Sequence, residues 1–348
     1  MKQQSTEYMY SSARTRALEN RMIGRERMAA LVEAKHVQDV MARLSEYGVT
    51  PEGNERDHQM MAGASASGDS ESRRREEMLL HLLRDAYREV DAMSPDPDAF
   101  RWFRYPYDVN NVKVALKCFI RNIEPDGLLF DFGTVAADRV MACVREQRYD
   151  AFPPHIARAA VIAYETYSKT LDPQQIDTIL DKACYADMLA AVARLGDPMM
   201  IGWLKAKIDL CNFMICLRLL RMKRGDLGKM FLQSACLDGG NEAVSVFVSL
   251  YEQGEEALWE AFATSNYSRF VREAQKTDLS LAAVERCADN EWMERVREAK
   301  WTPFGAAVLG GYLIGTEMSV KNIRIVLAAK EANLTADVIR ERVRDSYV

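Results

Sequence analysis

Histidine is scarce in this chain. The four copies, His36, His58, His81 and His155, are widely scattered, and no His-x-x-x-His or Cys-x-x-Cys pair offers the ligand spacing of a zinc site. The doublets Gly239-Gly240 and Gly310-Gly311 lack the context of a phosphate loop. No nucleophile, base and acid assemble at a recognisable spacing, so no catalytic residue, metal or cofactor is expected. Ten prolines and eighteen glycines are few for 348 residues. No period-two run of useful length marks a strand, which excludes a β architecture. The longest weakly polar run, Ala306 to Gly315, has ten residues and three glycines, too short to cross a bilayer. The opening Met1-Lys-Gln-Gln-Ser-Thr-Glu7 has no apolar segment and is not expected to act as a signal peptide.

What is present describes a folded helical protein. Apolar residues make up 48% and charged residues 28%, an ordinary globular balance, and eighteen methionines suit adaptable helix packing. The net charge of −5 gives no overall attraction to nucleic acid or anionic lipid. The seven cysteines are odd in number and sit mostly in apolar helical runs, which reads as reduced thiols in a cytoplasmic protein. A chain of this length exceeds the usual single core, so two or three lobes are expected.

Along the chain, apolar residues from Leu18 to Leu44 recur at three-to-four spacing and predict helix over 11–47, with Gly24 able to divide it and Tyr47-Gly48 ending it. Residues 51–72, rich in Gly, Ala and Ser, predict a mobile loop. Helix resumes at Arg73 and runs to about Met93, before Pro95 and Pro97. Asp108 is a candidate N-cap, Thr134–Arg148 a further helix, and Ala336 to about Asp345 a final helix capped by Thr335.

One helical pattern occurs three times. Asp108-Val-Asn-Asn111 leads to Leu116-Lys117, Asp209-Leu-Cys-Asn212 to Leu217-Arg218, and Ser319-Val-Lys-Asn322-Ile-Arg324 to Leu327-Ala328. The asparagines stand 101 and 110 residues apart, a domain-sized period that marks a triplicate rather than a solenoid. After each asparagine, positions +1, +3, +4 and +5 are apolar or small, so one amide interrupts a wide apolar face. Such an amide must bond a neighbouring helix or the acid one turn earlier, which fixes register inside a lobe; the alternative is that it faces a partner. Lys117 and Arg218 lie near helix ends, where the dipole favours cations.

These blocks carry a family resemblance. The opening Tyr8-Met-Tyr10-Ser-Ser-Ala13-Arg14-Thr15-Arg16-Ala17-Leu18-Glu19 resembles the start of the C subunit of V-type (A-type) ATPases, whose eukaryotic relative is the d subunit of the vacuolar ATPase. Lys205-Ala-Lys-Ile-Asp209 through Arg218 is similar to the family's second repeat, and Glu317 through Val348 to its C-terminus. The resemblance implies three helical lobes arranged as a pseudo-threefold funnel. They are expected at 1–150, 151–250 and 251–348, with helices exchanged between lobes. It also implies a non-catalytic rotor component on the cytoplasmic face of the membrane. Its partners would be the D and F subunits of the central stalk and the membrane proteolipid ring, with no nucleic acid and no small-molecule substrate. Two features depart from the pattern: Ser319 and Ala328 replace an acid and a cation, and the 51–72 segment is long.

Two groups of cations are candidate partner contacts. Arg221, Lys223 and Arg224, with Arg218, sit at a helix end and would meet acidic residues of the stalk or loops of the ring. Arg14 and Arg16 belong to the opening block and would serve either packing or contact. Arg73-Arg-Arg75 reads as a solvated charge run. The competing reading of the whole chain is a general α-helical scaffold.

Overall fold

The computed structural model describes residues 7–50, 68–96, 98–125 and 127–348, and among them every regular element is a helix. The all-α expectation holds. The expected loop lies outside the described residues as far as residue 67. From Gly68 the chain is already helical, so residues 68–72 belong to the helix that was expected to begin at Arg73.

The stretch 11–47 forms three helices, α1 (Met9–Glu19), α2 (Arg25–Glu33) and α3 (Val37–Glu46). Gly24 makes the break, and a Cβ there would lie 2.9 Å from the Val348 carbonyl oxygen. Helix α4 (Gly68–Met93) is followed by a short 3-10 turn at Arg101–Arg104 and by α5 (Tyr105–Arg121). Helix α5 begins at Tyr105 with Pro106 in its first turn, so Asp108 also stands inside that turn and is not the N-cap. Then come α6 (Ala137–Glu146), shorter than the expected 134–148, and α7 (Pro154–Thr170). Helices α8 (Pro173–Leu195) and α9 (Pro198–Met222) both open with an Asp-Pro step. In each the aspartate side chain accepts from the second helical N–H: Asp172 from Gln174 at 3.0 Å and Asp197 from Met199 at 2.9 Å. The remaining helices are α10 (Gly225–Ala235), α11 (Val244–Gln253), α12 (Glu255–Ala263), α13 (Ser268–Ala274), α14 (Leu281–Arg297), α15 (Ala306–Glu331) and α16 (Ala336–Arg340). The last is five residues long and ends well short of Asp345; Thr335 is its N-cap residue but makes no capping hydrogen bond with its side chain.

The chain divides into two compact units, Met1–Pro95 with Ala282–Val348, and Asp96–Leu281. The first is organised on α15, against which α1, α2, α3 and α4 pack. That helix is buried nearly all round, as a helix without a polar face must be. Gly311 and Gly315 are needed for close approach: a Cβ at Gly315 would lie 2.6 Å from Cβ of Tyr347. Tyr347 is itself buried, and its hydroxyl donates to Glu19 at 3.2 Å. In the second unit α7 and α8 form a helical hairpin, α8 packs on α5, and α9 is the buried centre of α10, α11 and α12. Phe213 of α9 meets Trp259, Phe262 and Phe270 at centroid distances of 4.9, 4.7 and 5.0 Å, contacts each worth about 1 kcal/mol beyond burial.

Candidate functional site

The three repeat asparagines are fully buried and do the same thing. Asn111 Nδ2 donates to the Phe130 carbonyl at 2.7 Å while its Oδ1 accepts from the Phe130 N–H at 2.9 Å. Asn212 treats Leu237 in the same way, at 2.9 and 2.7 Å. Asn322 does so with Arg344, at 2.9 Å for both bonds. A primary amide has a donor and an acceptor side by side, so it can close on both polar groups of one residue's backbone. The partner is a loop, neither a neighbouring helix nor the acid one turn earlier. The bond expected, to a neighbouring helix or to the acid one turn earlier, is therefore not the one these amides make.

The acids complete the arrangement in two copies. Asp108 accepts from the Thr134 N–H (2.8 Å), the Val135 N–H (3.1 Å) and the Thr134 hydroxyl (2.6 Å). Asp209 accepts from the N–H groups of Asn241 (3.0 Å) and Glu242 (3.1 Å), from Asn241 Nδ2 (2.9 Å) and from the Tyr267 hydroxyl (2.6 Å). In both, the backbone donors lie four and five residues beyond the residue held by asparagine. In both, the residue just before those donors is glycine, because a Cβ on Gly133 or Gly240 would lie 2.1 Å from an oxygen of the carboxylate. Burial pushes the Asp108 carboxyl up from its ordinary range, and the bonds from Thr134 and Val135 pull it back.

The third copy keeps the amide and changes the rest. Ser319 donates instead to the Gly315 carbonyl at 2.9 Å, and Tyr347 occupies the place that glycine holds in the other two. A further shared feature lies eleven residues beyond each asparagine, where Asn122, Lys223 and Asn333 are left-handed with φ of 53°, 52° and 53°. They end their helices, with N–H groups returning from Ile123 to Cys118 and from Leu334 to Ala329.

The remaining sequence candidates divide between internal struts and exposed cations. Lys117 holds Asp177 at 2.7 and 2.9 Å, and Arg324 holds Glu76, with Nε donating at 3.0 Å. Arg221 donates to both oxygens of Glu255 and through Nη1 to the Leu279 carbonyl at 2.6 Å. It is a strut, while Lys223, Arg224 and Arg218 are exposed. Arg16 holds Glu19 and the carbonyls of Ala299 and Thr302, and Arg14 pairs with Glu89 on the rim of a cleft of about 790 Å³. Arg75 pairs with Glu331 and is not part of a solvated run. Sequence reasoning missed the loop half of the clamp, Phe130-Asp-Phe-Gly133-Thr134 and Leu237-Asp-Gly-Gly240-Asn241, though the shared Asp-x-Gly step was a usable signal.

Among the described residues no group of three or more potential ligands could hold a metal ion, and no helix is long and apolar enough to cross a membrane. Cys216 and Cys236 are held protonated by burial, both pushed up to about 12. Of the seven cysteines six are buried, and Cys211 is half-buried.

A sequence model described as the ATP synthase (C/AC39) subunit matches residues 11–342. The C subunit of the V-type sodium ATPase of Enterococcus hirae is 22% identical over 73% of this chain and 77% of its own length. The C subunit of the A-type ATP synthase of Thermococcus kodakarensis is 21% identical over 97% of this chain and 90% of its own. That of Thermococcus gammatolerans is 23% identical over 95% and 87%.

Proposed function

The chain belongs to the ATP synthase (C/AC39) subunit family, and from that premise we propose that it is a non-catalytic rotor component of a V/A-type ATPase. In this reading it sits on the cytoplasmic face of the membrane. It receives the foot of the central stalk, formed by the D and F subunits, and rests on the proteolipid ring. It then passes torque between the catalytic head and the ring, linking ATP hydrolysis or synthesis to proton or sodium transport. The triplicated helices would form three lobes, at 1–150, 151–250 and 251–348, arranged as a pseudo-threefold funnel.

The observation that carries the reading is the family match over residues 11–342, nearly the whole chain. The repeated clamp supports it. A coupling protein must resist twisting, and in each copy a buried amide fastens a loop to the central helix by two hydrogen bonds. Of the candidate contacts, Lys223 and Arg224 stay available to acidic partners, whereas Arg221 is committed to Glu255. The test is co-purification of the full chain with co-expressed D and F subunits from the same organism, and separately with the detergent-solubilised ring. Stoichiometric binding to both is expected. Binding to neither overturns the reading.

A further inference from the structure

At the turn between α9 and α10, open apolar side chains and uncommitted cations coincide. Met222, which ends α9, is 58% exposed, and Leu227 and Met230 of α10 are 74% and 66% exposed. Helical spacing puts Leu227 and Met230 on one face, while Gly228 and Leu232 turn inward and are buried. The inward face is fastened to α11. The Tyr251 hydroxyl donates to the Gly225 carbonyl at 3.2 Å, and Lys229 pairs with Glu252. A Cβ on Gly228 would lie 2.1 Å from the Tyr251 hydroxyl oxygen, so this close seat requires glycine. The contact that buries Gly228 thereby holds Leu227 and Met230 out in water.

The stretch from six to eighteen residues beyond each repeat asparagine sets this turn apart from its counterparts. In the second copy, residues 218–230, it holds five cations and one acid. In the first copy, 117–129, and the third, 328–340, it holds two of each. The first exposes Ile123 and Leu128 without any excess of cations, and the third exposes no large apolar side chain among the described residues. Of the five cations, Arg221 is bonded to Glu255 and Lys229 to Glu252. Lys223 and Arg224 are exposed, with no acid bonded to them among the described residues. Asp226 does not balance them. It lies in the first turn of α10, where the helix dipole favours an acid, and its charge acts on Lys229.

These features select an anionic lipid surface. Methionine and leucine are pliable enough for a fluid layer, whereas grooves on proteins are anchored mainly by Trp, Tyr and Arg, with leucine under-represented. A chain of net charge −5 is repelled by anionic lipid as a whole, so the attraction must be local, within a Debye length of about 10 Å.

We propose that the α9–α10 turn docks on an anionic bilayer surface, with Leu227 and Met230 entering the headgroup layer and Lys223 and Arg224 meeting lipid phosphates. This rests on the rotor reading only in bringing the chain to a membrane, and it names the partner of that reading's two available cations. The purified full chain is to be floated with vesicles of phosphatidylcholine alone and of phosphatidylcholine mixed with phosphatidylglycerol. Flotation with the mixed vesicles, weaker with the neutral ones and lost at high salt, is the expected result. Lys223→Gln with Arg224→Gln lowers the partition coefficient on mixed vesicles about thirtyfold, at unchanged helicity. Leu227→Ser with Met230→Ser lowers it about tenfold. Ile123→Ser with Leu128→Ser, in the neutral counterpart turn, leaves it unchanged; an equal loss there overturns the proposal. So does absence of flotation, equal flotation with neutral vesicles, or undiminished binding by either α9–α10 pair. Should those pairs instead weaken co-purification with the D and F subunits or the ring while vesicles are not bound, the surface is a protein contact and the proposal falls. The two readings fail separately. A chain that floats but binds neither stalk nor ring refutes the rotor reading alone, and one that binds both but does not float refutes the lipid contact alone.

Discussion

The first two copies of the repeat and the third solve one packing problem in two ways. In the first two, a buried carboxylate gathers two loop N–H groups, and a glycine makes room for it. In the third, a serine turns back onto its own helix and a tyrosine fills the glycine's place. The asparagine is common to all three. The amide is therefore what fastens loop to helix, while carboxylate and glycine form a matched pair that is present together or absent together. A buried carboxylate is tolerable only where several donors face it, so the acid cannot appear without the loop that satisfies it.

Restoring the acid alone is the most direct way to break this comparison. Ser319→Asp would bury a carboxylate with no loop donors arranged for it, and we expect a loss of about 4 kcal/mol in urea unfolding. A change under about 1 kcal/mol would mean that the third copy can supply donors, and the pairing argument would fall. Next in size is the amide itself. Asn212→Leu orphans the N–H and C=O of Leu237 in a fully buried site, at a cost of about 3 kcal/mol. Asn322→Leu should cost about 2 kcal/mol, because the Arg344 backbone is partly open to water. Equal losses at both positions would separate the cost from burial.

The glycine supplies a smaller and sharper test. Gly240→Ala forces a methyl group against Asp209 and should cost about 2 kcal/mol. Combined with Asp209→Ser, which clears the oxygen, the loss should fall short of the sum of the single losses by about 1 kcal/mol. Simple additivity would show that glycine and acid are not a pair.

Much of this was legible in advance, and the rest failed for identifiable reasons. The helices carrying the repeat, their period and the buried role of the three asparagines follow from spacing and from the cost of burying an amide. The bonding partner did not, because Phe130, Leu237 and Arg344 offer only backbone, which carries no side-chain signature. Helix bounds slipped where local signals were ambiguous. Asp108 after Pro106 looks like a cap, yet the helix begins at Tyr105, four residues earlier than a cap at Asp108 would allow. Arg221, Lys223 and Arg224 look alike in sequence, and only the approach of Glu255 and Leu279 separates the first from the others.

The smallest expected effect concerns the end of the repeat helix, where the copies differ again. Nine residues beyond the asparagine stand Ile120, Arg221 and Glu331. Arg221 pairs with Glu255, whereas Glu331 pairs with Arg75, so the second and third copies brace this point with opposite polarity. The Arg221 guanidinium holds the Glu255 carboxyl below its ordinary value of 4.5, with the Trp259 N–H helping. A depressed folded value means that the native state binds its proton later than the unfolded chain does. The stabilisation is thus complete above pH 4.5 and is lost as pH falls through the folded value. Carbon-detected NMR titration should place the Glu255 carboxyl below 4.5 and return it toward 4.5 in Arg221→Ala. Should Glu255 titrate normally in the unaltered chain, the brace at this point would be geometric only, and opposite polarity between the copies would carry no energetic meaning.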